Sequence, residues 1–188
     1  MENTHNMKIL ALDQATTTGW AVVEGDGKIV ASGIWLLADS KRSGESRGMR
    51  YLRFQKHLED SISAYQPRLI CHEQTLLRGG AATEIANGLK AFILAAAEHH
   101  RLDVSCVHTT ELKKWATGSG GAEKADMVKA ASRFAGRSVA DDNEADAILI
   151  GLWAASVYGT FPAPEWSVRK KAPRRKKSVR GSEWIDTL

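Results

Sequence analysis

Three β-type runs stand at the head of the chain with almost nothing between them. MKILALD (Met7 to Asp13) and WAVVE (Trp20 to Glu24) are separated only by the polar stretch Gln14 to Gly19, and KIVASGIWLL (Lys28 to Leu37) follows Gly25-Asp26-Gly27. A parallel crossover takes about a dozen residues or more, usually a helix, so strands this closely spaced must pair antiparallel. Gly-Asp-Gly between two apolar runs reads as a hairpin turn. Any fold open to this chain therefore begins with an antiparallel meander.

The pattern then changes to alternating helices and strands. Past the polar stretch Ala38 to Ser46, Met49, Leu52, Leu58 and Ile62 recur at helical spacing within Gly48 to Tyr65, and Pro67 ends that helix. RLICHE (Arg68 to Glu73) reads as a short buried strand, Ala81 to His100 as an Ala-rich amphipathic helix, and DVSCVH (Asp103 to His108) as another strand. Thr110 to Trp115 reads as a short helix, followed by the TGSGG loop, a helix over Ala122 to Ala135 and a strongly apolar helix over Glu144 to Tyr158. The order predicts an α/β fold, a mixed sheet flanked by helices, without internal repeats. The 188 residues suit one domain, 1–161, with Pro162 and Pro164 marking its end and 162–188 forming a flexible basic tail.

The net charge of +4 is concentrated in that tail. Residues 1–164 carry 18 Lys and Arg against 19 Asp and Glu, whereas residues 165–188 carry 8 against 3. All eight lie in RKKAPRRKKSVR (Arg169 to Arg180), which includes Arg174, Arg175, Lys176 and Lys177. So dense a run of like charge suits an arm for a polyanion, nucleic acid first, with a solvated tail as the plainer reading. Cys71 and Cys106 sit in apolar runs without metal-ligand spacing, as reduced thiols of a cytoplasmic protein would. No apolar run approaches the roughly 18 residues of a membrane span, and MENTHNMKIL has no signal-peptide core, so no membrane partner is expected.

Acids at strand ends are the candidate chemistry. Asp13 and Glu73 each close an apolar strand, where an unpaired charge costs several kcal/mol unless a cation or hydrogen bonds offset it. In ADDNEADAILIGL (Ala140 to Leu152), Asp142 and Asp146 stand at i,i+4, and Asn143 and Asp146 at i,i+3, so one helix face collects them. Asp141 and Glu144 fit the favourable helix N-terminus, while Asp146 lies a turn further in, where capping is no longer available. Carboxylates from two strands and a helix suit hard cations such as Mg²⁺ or Mn²⁺, two of which would support phosphodiester hydrolysis. His72 points to the opposite strand face from Glu73. Gly118-Ser119-Gly120-Gly121 lacks the GKS or GKT ending of a P-loop, so no nucleotide cofactor is expected; its amides, with Lys124, suit a DNA phosphate. Arg50 and Arg53 share a helix face within a second basic group that includes Lys41 and Arg42, which suits a surface that tracks DNA phosphates, with a solvated helix face as the plainer reading.

LALDQATTTGWAVVE, ICHEQ, TGSGGAEKADMVKAA and DDNEADAILIGLWA, in this order over about Lys8 to Trp153, resemble the RuvC-type Holliday-junction resolvase family, most closely its phage-borne members. The resemblance implies an RNase H-like sheet of five strands and a homodimer that cuts four-way or other branched DNA with two metal ions. It places the family's carboxylates on Asp13, Glu73 and Asp146, leaves the fourth ligand to Asp142 or Asn143, and puts a phosphate-facing base on Lys124. Lys113 or the adjacent Lys114 matches another basic position, and Leu76 and Leu77 fall where relatives insert an apolar wedge. A nuclease acting on RNA/DNA hybrid and a catalytically inactive branched-DNA-binding module are the alternatives. LDQATTTGWAVVE also resembles the phosphate hairpin of sugar kinases and actin-like ATPases, but those need two such domains and 188 residues hold one.

Overall fold

The structure is a computed structural model that describes residues 7–38, 45–74 and 80–167. Strands β1 (Lys8–Asp13), β2 (Thr17–Glu24) and β3 (Ile29–Leu36) form the expected meander. Helix α1 (Arg47–Tyr65), strand β4 (Leu69–Glu73), helix α2 (Ala81–His100) and strand β5 (Asp103–Val107) follow. Helices α3 (Thr109–Thr117), α4 (Lys124–Ala135) and α5 (Asp142–Tyr158) complete the fold. The sheet order is β3-β2-β1-β4-β5, antiparallel across the first three strands and parallel from β1 to β4 to β5. This is the mixed five-stranded α/β sheet that the element order implies. Among the described residues no helix is long and apolar enough to cross a membrane.

The Gly25-Asp26-Gly27 turn forms because each residue does separate work. The amide of Gly27 donates to the Glu24 carbonyl at 2.9 Å, and Lys28 N–H donates to Asp26 Oδ1 at 2.9 Å. Gly27 takes φ +92°, a conformation that suits glycine because it has no Cβ to clash.

Strand alternation sorts side chains onto two cores. Ile9 and Ala11 of β1 and Leu69 and Cys71 of β4 face α5, whereas Leu10, Leu12 and Ile70 face α1 and α2. Helix α5 is apolar on nearly every side and buries Ala145 and all residues from Ala147 to Ala155, which is why it lies flat on the sheet. Each fully buried Ile or Leu among them contributes about 1.5 to 3 kcal/mol. Two glycines permit the close approach. A Cβ on Gly151 would lie 2.5 Å from Val23 Cγ2, and one on Gly19 would lie 1.8 Å from the Asn143 carbonyl oxygen.

Several boundaries differ from the sequence expectation, each for a local reason. Strand β2 starts at Thr17, because Thr17, Thr18 and Gly19 pair with Leu36, Trp35 and Ile34, and the buried Thr18 hydroxyl is satisfied by the Ala15 carbonyl at 2.6 Å. Helix α3 runs nine residues, longer than Thr110 to Trp115. Helix α4 starts at Lys124, because Glu123 and Asp126 form a reciprocal capping box. Helix α5 starts at Asp142, because Asp141 Oδ1 caps it by accepting the amides of Asn143 at 2.9 Å and Glu144 at 3.2 Å.

Beyond α5 the chain stays on the domain through Ser167. The amides of Thr160 and Phe161 both donate to the Gly25 carbonyl, at 2.7 and 3.0 Å, and the Phe161 ring packs against Trp115 and Phe134. A short 3-10 turn, Glu165–Ser167, then brings Trp166 onto α3, where its indole N–H donates to the Trp115 carbonyl at 3.0 Å.

Candidate active site

Asp13 and Glu73 end neighbouring parallel strands. The β1–β4 register pairs Leu12 with His72, so the next step along both strands sets the two acids side by side on the face covered by α5. Glu73 is close enough to Asp13 for its charge to act on it directly. Burial, then the charges of Glu73, Asp146 and Asp142, push the Asp13 carboxyl well above the ordinary carboxylate range.

Helix α5 brings the other acids over this pair. Asp146, one turn inside the helix, is pushed up to about 6, first by burial and then by Glu73 and Asp142, with Lys113 and Lys124 pulling the other way. Its Oδ1 is buried without a hydrogen-bond partner among the described residues. A native structure rarely leaves a buried carboxylate oxygen unserved, and a cation is a partner that would fit this one. Asp142 lies at the rim in an ion pair with Lys124, which holds the Asp142 carboxyl below its usual range and raises the Lys124 ammonium. The Asn143 amide instead donates to Asp141 Oδ1 at 3.1 Å, while its backbone carbonyl abuts Gly19. Asp142 is thus the group whose charge reaches both Asp13 and Asp146.

Glu73 is held from several directions. Thr109 Oγ1, opening α3 directly after β5, donates to Glu73 Oε1. The Glu73 carbonyl accepts from Gln14 Nε2 at 2.7 Å and from His72 Nδ1 at 2.7 Å, an arrangement that puts the imidazole proton on Nδ1. His72 is buried among the apolar side chains of the opposite face, and that burial lowers its pKa and keeps it neutral. Thr109 and Gln14 were not singled out by sequence reasoning. The signal was available for Thr109, since a polar residue just past a strand that pairs with β4 stands at the same sheet end as the acids.

The acids supply hard oxygen donors, and the unserved Asp146 oxygen together with the repulsion that raises Asp13 fits a divalent cation. Among the described residues no three His, Cys, Asp or Glu side chains already converge into a closed cage. The donor set is one that a cation would draw together.

The residues expected to meet DNA are placed as follows. Lys113 and Lys124 act electrostatically on Asp146 from α3 and α4, and Lys114, next to Lys113, is exposed. Ser119, exposed in the glycine loop, accepts the Gly121 amide at 3.3 Å on its hydroxyl. Arg53 turns inward to the Leu37 carbonyl at 2.8 Å and to the Glu45 carboxylate, while Arg50 is half-buried one turn before it. Lys41, Arg42, Leu76, Leu77, Arg174, Arg175, Lys176 and Lys177 lie outside the described residues. Cys71 and Cys106 are free thiols.

Comparison with known proteins gives no matching family model. The crossover junction endodeoxyribonuclease RuvC of Rickettsia conorii is 30% identical over 151 residues, covering 77% of this chain and 94% of its own length. Among solved structures, Thermus thermophilus RuvC in complex with a Holliday junction substrate superposes with a TM-score of 0.67 at 17% identity, over 81% of this chain and 94% of that one. The yeast mitochondrial Holliday junction resolvase Ydc2 gives 0.57 at 13% identity, over 79% and 78%.

Proposed function

This chain belongs to the RuvC family of crossover junction endodeoxyribonucleases, and from that premise we propose that it resolves four-way DNA junctions by metal-assisted hydrolysis of phosphodiester bonds. The observation that carries the chemistry is the buried, unserved Oδ1 of Asp146, in an acid group whose mutual repulsion raises both Asp13 and Asp146. Asp13, Glu73, Asp142 and Asp146 would hold Mg²⁺ or Mn²⁺, and such ions would supply Lewis acidity for activating water and for stabilising the departing oxygen.

The chain's own residues do the rest. Thr109 fixes one oxygen of Glu73 and leaves the other for binding. Gln14 and His72 fix the backbone that carries Glu73, so the carboxylate cannot swing away with the strand end. Lys124, paired with Asp142 at the rim of the acid group, would stand against the scissile phosphate and stabilise the negative charge that develops on it. Asp142 completes the ligand set as the group whose charge acts on both Asp13 and Asp146. The protein acts in the cytoplasm as a homodimer, since a four-way junction presents two symmetry-related strands and each copy carries one set of acids. The basic run Arg169 to Arg180 adds affinity for phosphate.

The test compares a synthetic four-way junction, a linear duplex and an RNA/DNA hybrid in Mg²⁺ or Mn²⁺. Paired nicks in the junction alone are expected, and they vanish in Asp13→Asn and Asp146→Asn. Preferred cleavage of the hybrid would overturn the substrate, tight junction binding without cleavage would make the chain an inactive binding module, and full activity in either Asn variant would remove the site assignment.

A further inference from the structure

Helix α5 carries two of the four acids, so its rotation about its own axis decides where they point. A surface helix ordinarily takes its rotation from an apolar stripe that seeks the core. Helix α5 has no such stripe, since every residue from Ala147 to Ala155 is buried whichever way it faces. Its glycine contacts, Gly19 against the Asn143 carbonyl and Gly151 against Val23, set how closely it lies on the sheet. Fixing the rotation calls for a directional contact, and the first turn makes one. Ser32 Oγ, on β3, donates to Glu144 Oε1 at 2.7 Å. Arg137, in the link between α4 and α5, donates through Nη2 to the same carboxylate oxygen at 2.7 Å and to Ser32 Oγ at 2.6 Å. Its Nη1 donates to the Ser138 carbonyl at 3.2 Å, which holds the guanidinium in place. The three side chains close a triangle, and with the Glu144 side chain only 16% exposed, water competes little for it.

Helical geometry sets this triangle opposite the acids. At about 100° per residue, Asp142 and Asp146 each lie about 160° around the axis from Glu144, and about 40° from each other. Strand β3 is one edge of the sheet, with β2 between it and the two strands that end in Asp13 and Glu73. A pull on Glu144 toward β3 therefore turns Asp142 and Asp146 the other way, toward β1 and β4. Resting on the reading of the four acids as metal ligands, we propose that Ser32, Arg137 and Glu144 are positioning residues, a rotational brace that aims Asp142 and Asp146 at the strand acids. None of the three is itself a ligand; they act through α5.

The experiment is Mn²⁺ binding to the full chain by calorimetry, under conditions where urea unfolding shows each variant to be folded, so that a loss of stability alone does not register. Arg137→Ala is expected to weaken Mn²⁺ binding about tenfold, the size typical of contacts one step removed from a metal ligand. The sign is diagnostic. If Arg137 acted only through its charge, removing a cation near the acids would tighten Mn²⁺ binding instead. Ser32→Ala alters no charge and leaves Arg137 paired with Glu144, and is expected to weaken Mn²⁺ binding to a lesser degree. Arg137→Lys returns a donor to Glu144 and is expected to recover part of the loss. Tighter or unchanged Mn²⁺ binding in Arg137→Ala would overturn the brace, as would wild-type affinity in Ser32→Ala, the arm that decides should Arg137→Ala fail to fold. Asp146→Asn separates the two readings: it is expected to weaken Mn²⁺ binding whether or not the brace exists. Wild-type affinity in Asp146→Asn would overturn the ligand reading and the brace with it, whereas a loss there without one in the brace variants would overturn the brace alone.

Discussion

Replacing Asp146 by asparagine tests the electrostatics of the site without touching DNA. Burial and the neighbouring acids raise this carboxyl from 3.8 to about 6, roughly two pH units at about 1.4 kcal/mol each. The folded state therefore holds a proton that the unfolded chain releases between about pH 4 and pH 6. The favourable contribution is complete below pH 4 and is lost as the pH rises through 6, which makes the metal-free protein less stable by about 3 kcal/mol at pH 7.5. Asparagine has nearly the same shape and never ionises. Asp146→Asn is thus expected to match the wild type near pH 4 and to exceed it by about 2 to 3 kcal/mol at pH 7.5, read by urea unfolding in chelator. Adding Mn²⁺ at a hundred times its dissociation constant restores about 2.7 kcal/mol to the wild type and much less to the variant. Parallel curves for the two proteins between pH 4 and 7.5 would refute the reasoning, as would equal stabilisation by Mn²⁺.

Three further outcomes follow from named contacts. Thr109→Val removes the donor that holds Glu73 and should weaken Mn²⁺ binding about tenfold by calorimetry, while Thr109→Ser stays near wild type. Lys124→Met takes the counter-charge from Asp142, so Mn²⁺ should bind more tightly while junction turnover falls about a hundredfold, a split visible by combining titration with single-turnover kinetics. Arg53→Ala loses the bonds to the Leu37 carbonyl and Glu45 and should cost about 1 to 2 kcal/mol in denaturant, with the salt slope of DNA binding unchanged.

The parts of the site that could be read beforehand are those set by local chain rules. Short links force the β1-β2-β3 meander, and period-two alternation puts Asp13 and Glu73 on the same face as Ala11 and Cys71. Asp146 stood out because it lies past the reach of capping yet before an apolar run. The rest depends on three-dimensional neighbours. The preference for Asp142 over Asn143 rests on where α5 begins, which Asp141 fixes by capping the backbone amides of Asn143 and Glu144, and on the charge that Asp142 then brings to Asp13 and Asp146. Arg53 looked like half of a phosphate-tracking pair on helix spacing alone, but Glu45, upstream of the helix, folds back onto it. Trp166 follows two prolines in a segment read as tail, and only the placement of α3 and α4 gives its ring somewhere to sit.

The approach of Asn143 to Gly19 has a consequence for anyone wishing to change the ion this site takes. At that point a peptide carbonyl of α5 rests against the glycine backbone of β2, where there is no side chain to trim or lengthen. A single methyl on Gly19, which pairs with Asp13 across the sheet, would push α5 off β2, whereas the second close approach, Gly151 against Val23, does end on a side chain. Retuning the proposed site toward a larger or smaller cation is therefore reached through the ligands or through Val23, and not through Gly19.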